Sequence, residues 1–142
     1  MRDIIFRGKR IDNGEWIYGD LIKHSIIDPF TYIAQGTGLV VGDKEIGVPI
    51  KVYPNSCGQY TGFKDGNGDM IFEGDVVKHF CDPQRPEYAD VGTVFWNTPY
   101  GQWDRTCGNN DEESCRLWGE REYEVMGNIY DSQWSSVNNK TV

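Results

Sequence analysis

The sequence contains only two histidines, His24 and His79, and they do not stand at the spacing of helical metal ligands. No Gly-x-Ser-x-Gly run is present, which removes the strand-to-helix nucleophile turn of many hydrolases. The four cysteines, Cys57, Cys81, Cys107 and Cys115, include no Cys-x2-Cys pair, so structural zinc is not expected. Cys107 and Cys115, the closest pair, could clip a loop in an oxidising compartment; in the cytosol they are expected as free thiols. Long apolar runs are missing as well. Ile4-Ile5-Phe6, just after Met1, is far too short for a leader or a membrane span, and a cytoplasmic protein without membrane contact is expected. No segment carries a sustained helical period. Asp111 to Arg121 comes nearest, and its Leu117 and Trp118 are too few for a buried stripe.

Positive charge is scarce. Fourteen Lys and Arg face 22 Asp and Glu, for a net charge of −8. The deficit lies in the second half: residues 1–71 carry eight basic and nine acidic residues, residues 72–142 six and 13. A surface of that sign repels phosphate backbones, so nucleic-acid binding is disfavoured.

What the chain does have is turns and aromatics. Seventeen glycines, with many Asn and Asp, punctuate short apolar runs, while 38% hydrophobic and 13% aromatic residues suffice for a core. An all-β fold with little helix is expected. Ile4 to Ile11 and Glu15 to Ile22 read as a hairpin about Asp12-Asn13-Gly14. Phe30 to Ala34 and Val48 to Tyr53 read as short strands, with Gly36 to Gly47 as a glycine-rich loop. Gln59 to Phe63, Met70 to Phe72 and Val76 to Phe80 form a tight series. Its turns are Lys64 to Asp69 and Glu73-Gly74-Asp75, the cornering chemistry of a small SH3-like barrel. Val91 to Asn97 and Glu120 to Val125 add strands, whereas Asp104 to Glu113 reads as acidic and irregular.

Three constellations invite chemistry. Asp65-Gly66-Asn67-Gly68-Asp69 resembles a calcium loop, but its glycine position holds Met70 and its twelfth position Val76, so a hairpin turn explains it better. His79 and Cys81 would share a strand face, which is weak grounds for a catalytic pair. Arg2, Arg7, Lys9 and Arg10 form a basic cluster suited to an anionic ligand or to ion pairs with Glu15 and Asp20.

Phe6-Arg7-Gly8-Lys9-Arg10, followed by Gly14-Glu15-Trp16-Ile17-Tyr18-Gly19-Asp20-Leu21, resembles the opening of the YopX family of phage and prophage proteins. The resemblance continues in Gly58-Gln59-Tyr60-Thr61-Gly62-Phe63 and Ile71-Phe72-Glu73-Gly74-Asp75-Val76-Val77. It ends in Glu124-Val125-Met126-Gly127-Asn128-Ile129-Tyr130. These blocks keep their order over nearly the whole chain. The resemblance implies a small, mainly β, self-associating protein in the cytoplasm of a bacterial host, with no catalytic residues to transfer and residues 104–113 as a variable insertion.

The expected organisation is one β domain over 1–131, subdivided into an N-terminal hairpin region (1–53) and a barrel region (54–131), with a polar tail over 132–142. The expected function is that of a non-enzymatic, homo-oligomeric binding protein without cofactor or metal. Its partner would be a small anionic ligand or a host protein, and the ligand-binding candidates are Arg7, Lys9, Trp16, Tyr60 and Lys64. Alternatives are sequestration of a nucleotide signal of host immunity, an acidic DNA mimic, or a metal-dependent hydrolase using Asp20, Asp65 or Asp75.

Overall fold

The computed structural model describes residues 2–23, 30–41, 44–80, 82, 84–108, 110–119 and 122–131. His24, Asp28-Pro29, Cys81 and Trp134 lie outside them. The described chain is all-β: it has strands and two single-turn 3-10 segments, Pro54–Ser56 and Pro86–Tyr88. It divides into two compact units, Met1–Tyr60 and Thr61–Val142.

In the first unit, β1 (Phe6–Lys9), β2 (Trp16–Lys23), β3 (Thr31–Val41) and β4 (Lys44–Val52) form an antiparallel meander, and β5 (Gly58–Lys64) begins on the other side of β1. The β1–β2 turn closes as its residues dictate. Gly14 takes φ +73°, and Asn13 Oδ1 accepts the Glu15 amide at 2.9 Å. Ile17, Ile33 and Val52 are buried together, with Phe6, Leu21, Ile50 and Cys57 packed against them. Each such aliphatic side chain stabilises the unit by about 1.5–3 kcal/mol. The glycine-rich stretch expected as a loop is instead strand. β3 runs to Val41 and β4 starts at Lys44, with the register shifting between Gln35 and Leu39. A glycine-rich ribbon tolerates that bulge because backbones approach closely; a Cβ on Gly47 would meet the Gln35 carbonyl.

In the second unit, the end of β5 pairs with β6 (Met70–Phe72). A five-stranded antiparallel sheet follows, in the order β10-β9-β8-β7-β11. Its strands are β7 (Asp75–His79), β8 (Asp90–Asn97), β9 (Gln102–Cys107), β10 (Asn110–Arg116) and β11 (Tyr123–Asn128). Ile71, Val77, Val94, Leu117 and Tyr123 make its core. Among the described residues, no pairing closes a sheet into the expected barrel. The segment read as irregular is also a correction: 104–107 finish β9, and most of the rest is β10. A disulfide joins Cys107 to Cys115 across this hairpin, with Cα atoms 6.4 Å apart, where free thiols were expected.

Asp65 governs the turn before β6. Its Oδ1 accepts the amides of Asn67 and Asp69, both at 2.9 Å, and its Oδ2 accepts Val125 N at 3.0 Å. Gly68 supplies the positive φ. The carboxylate is 4% exposed and turned onto backbone donors, as an Asx turn requires.

Candidate functional site

Strand pleating decides which candidates meet. β1 pairs with β2 in the register Arg7↔Tyr18 and Lys9↔Trp16, so these four side chains share one face of the sheet. Phe6, Gly8 and Ile17 take the other face, toward the core. The continuing registers Ile22↔Tyr32 and Tyr32↔Lys51 add Tyr32 and Lys51 to the Arg7 face, and Asp20↔Ala34 adds Asp20. Among the described residues, three cations and three aromatic rings thus stand with one carboxylate on this face, on a protein that is acidic as a whole.

Within this face the Arg7 guanidinium lies 4.9 Å from the Trp16 ring centroid. Arg7 is buried and Trp16 and Lys9 are half-buried, while Tyr18 and Lys51 are exposed. Lys51 Nζ stands 3.9 Å over the Phe30 ring. Such cation–aromatic contacts contribute about 0.5–2 kcal/mol, the more so when water is excluded. The end of β1 is held in place by its neighbour turn. Lys9 N donates to Ser56 Oγ at 2.8 Å, Ser56 Oγ donates to the Tyr53 carbonyl, and Tyr53 N donates to the Lys9 carbonyl.

Tyr60 follows Gln59, the partner of Phe6, and its amide donates to Ile5 O at 2.7 Å. The pleat therefore puts it on the Arg7 face, but it is buried and offers no open ring for stacking. Lys64 is exposed at the end of β5 and belongs to the second unit. Beside the first-unit face, Arg10, Ile11, Asp12, Pro49, Ile50 and Lys51 line a cleft of about 370 Å³. There Arg10 is bidentate on Asp12, at 2.9 and 2.7 Å. That hydrogen bond holds the Asp12 carboxyl below, and the Arg10 guanidinium above, their ordinary values.

The second unit holds an ionic chain that sequence reading did not single out. Glu122 Oε2 lies 3.1 Å from His79 Nε2, His79 Nδ1 lies 2.9 Å from Arg105 Nη2, and Arg105 Nη1 donates to Asp90 Oδ2 at 3.0 Å. His79 also stacks on Tyr123, with ring centroids 4.9 Å apart. The four residues come from β7, β8, β9 and the position just before β11, with sequence separations of 15 to 43. Only the fold brings them together. No three His, Cys, Asp or Glu side chains converge as a metal site among the described residues, and no helix there is long and apolar enough to cross a membrane.

Residues 5–133 match the family model described as YopX protein. No curated protein matches the sequence. Among solved structures, protein EF1440 from Enterococcus faecalis is similar in fold, with a TM-score of 0.53 and 19% identity. The likeness covers 94% of this chain and 97% of that one.

Proposed function

Since the chain belongs to the YopX family, we propose that it is a phage or prophage accessory protein that binds a small anionic ligand without transforming it, as a homo-oligomer. The observation that carries this reading is the Arg7–Trp16 pair. A buried guanidinium held 4.9 Å from an indole shares its sheet face with the half-buried Lys9 and the exposed Lys51, and those two lysines are the cations a ligand would touch on an otherwise acidic molecule. Anions are drawn to them, and the exposed Tyr18 ring offers a planar ligand a surface to lie on. Self-association would cover exposed strand edges of the sheets.

A narrower reading makes the ligand a nucleotide signal of host immunity. Its support is that Arg7, Lys9 and Trp16 share one face, cations beside an aromatic ring, as stacking sites for bases require. Because Tyr60 is buried, Trp16 and Tyr18 take the stacking role in this reading.

Native mass spectrometry of protein purified from phage-infected cells tests both. The expected spectrum is a homo-oligomer that carries an additional small acidic mass. Lys9→Ala combined with Lys51→Ala should lose that mass while remaining folded. A bare monomer from infected cells would overturn the proposal, and a retained mass that lacks a nucleobase absorbance would overturn the narrower reading.

A further inference from the structure

The outer hairpin of the second unit contains a cleft of about 580 Å³ whose lining includes Asn97, Tyr100, Gln102, Asp104, Ser114 and Arg116. Asp104 is 2% exposed. Gln102 Nε2 donates to its Oδ1 at 2.7 Å, while Asn97 Nδ2 and Ser114 Oγ donate to its Oδ2 at 2.8 and 3.1 Å. Three neutral donors thus satisfy the buried carboxylate, and no cationic side chain contacts it among the described residues. Arg116 stands directly opposite in the β9–β10 register and is exposed rather than paired with it.

This arrangement fixes two amides. A carboxylate only accepts, so the nitrogens of Asn97 and Gln102 must face Asp104. Each amide is left with one N–H and one carbonyl oxygen, held side by side at half-buried positions where β8 pairs with β9 (Asn97↔Gln102). A hydroxyl group is itself both donor and acceptor, and neighbouring hydroxyls match adjacent donor–acceptor pairs. Because three donors already satisfy Asp104, and the other charged residues on the lining, Glu113 and Arg116, are exposed and opposite in sign, an uncharged ligand suits the half-buried part of the cleft. At the rim, Tyr100 sits in the 98–101 turn with 77% of its surface exposed, and its ring can cover the C–H face of a sugar. Cys107 and Cys115 also line the cleft, and their disulfide ties β9 to β10.

We infer that the β8–β9–β10 cleft is a binding site for an uncharged polyhydroxylated ligand of the sugar class. Asn97 and Gln102 read its hydroxyls, Asp104 orients those two amides, and Tyr100 packs on its ring. The site is separate from the Arg7–Trp16 face and stands or falls independently of it.

The test is an NMR titration of ¹⁵N-labelled protein with D-glucose, D-mannose, D-ribose and N-acetyl-D-glucosamine. L-lysine and inorganic phosphate serve as charged controls. At least one sugar should shift the side-chain amide signals of Asn97 and Gln102 in a saturable way, in the millimolar range. Tyr100→Ala, at an exposed turn, and Gln102→Ala should each weaken that binding about tenfold. Their other amide signals should stay dispersed as in the parent. The inference is overturned if no sugar gives saturable shifts, if only a charged control does, or if both variants titrate like the parent.

Discussion

Arg105 Nη2 meets His79 Nδ1 at 2.9 Å, and because a guanidinium has no lone pair to offer, the imidazole nitrogen must be the acceptor. The proton of the neutral ring then sits on Nε2, from which it is donated to Glu122 Oε2 at 3.1 Å. The tautomer is therefore set by the buried arginine on one side and the carboxylate on the other. Long-range ¹H–¹⁵N correlation spectra at neutral pH should show the Nε2–H form of His79. A spectrum of the Nδ1–H tautomer would contradict this arrangement.

Asp90 should matter more to stability than either of the other two partners in that chain. The Arg105 side chain is 4% exposed, and Asp90 is the carboxylate paired with it. Asp90→Ala leaves a buried guanidinium without its counter-charge, and the expected loss is about 3–5 kcal/mol. Glu122 is 52% exposed on its side chain, so Glu122→Ala should cost less than about 1 kcal/mol. Urea denaturation of the two variants, read as midpoints at common slope, compares them directly. Equal losses would mean that Arg105 is not held by Asp90.

The turn at Asp65 makes an equally sharp case. One buried carboxylate accepts three backbone amides, two within the turn and one from Val125, 60 residues away. Hydrogen bonds to a charged group contribute about 1.5–3 kcal/mol each, and their loss here also strands buried N–H groups. Asp65→Ala should therefore destabilise the second unit by about 3 kcal/mol or more. Asp65→Asn should recover part of that, because its one carbonyl oxygen can serve only one side of the turn. Thermal unfolding measured with and without added calcium should show no shift in the parent, since both Asp65 oxygens are already engaged with the backbone.

Period-two alternation was enough to put Arg7 and Lys9 on one strand face and the Asp12-Asn13-Gly14 turn to mark the hairpin, whereas the register that sets Trp16 opposite Lys9 comes from the fold. Met70–Phe72 was legible because turn residues bound it on both sides. By contrast, β10 is written in Asn, Asp, Glu and Ser, residues that favour turns. Its strand form comes from pairing with β9 and the link from Cys115 to Cys107. β3 was legible up to Ala34 and β4 from Val48, but their continuation through 36–47 was hidden by glycines that serve a bulged ribbon rather than a loop. The chain from Glu122 to Asp90 has no local signature at all. Its members are polar residues on three strands and at the position just before a fourth, and nothing short of the tertiary fold aligns them. Asp104 is similar: a single acidic residue in an acidic stretch, distinguished only by the three donors around it.

The Arg10–Asp12 pair predicts a pH effect with a definite sign. Arg10 hydrogen bonds hold the Asp12 carboxyl below its ordinary value in the folded protein. Folding is therefore aided at pH values above the usual carboxylate range, and that aid is lost as the pH falls through the depressed folded value. Asp12→Asn should flatten this acid limb of the stability curve and lower neutral-pH stability by the same amount, a small one because Asp12 is solvent-exposed. Chemical denaturation of parent and variant across the acid range measures the difference. A variant curve of the same steepness would show that Asp12 does not titrate with folding.

Cys57 should be a slow thiol. It follows the 3-10 turn at the edge of the first core, half-buried against Ile17, Ile33 and Val52, with its Sγ 3.8 Å from the Tyr53 carbonyl. Burial pushes its thiol above the ordinary value, and the Lys23 charge offsets this only in part. The thiolate is the reactive form, so iodoacetamide should label Cys57 in the folded protein much more slowly than in urea at the same pH. The folded-state rate should keep climbing with pH beyond the range in which an unhindered cysteine has levelled off. Peptide mass mapping of labelling at Cys57 resolves it from the other cysteines. A folded-state rate equal to that of the unfolded chain would show that the sulfur stands in water and that its contact with the core is not kept in solution.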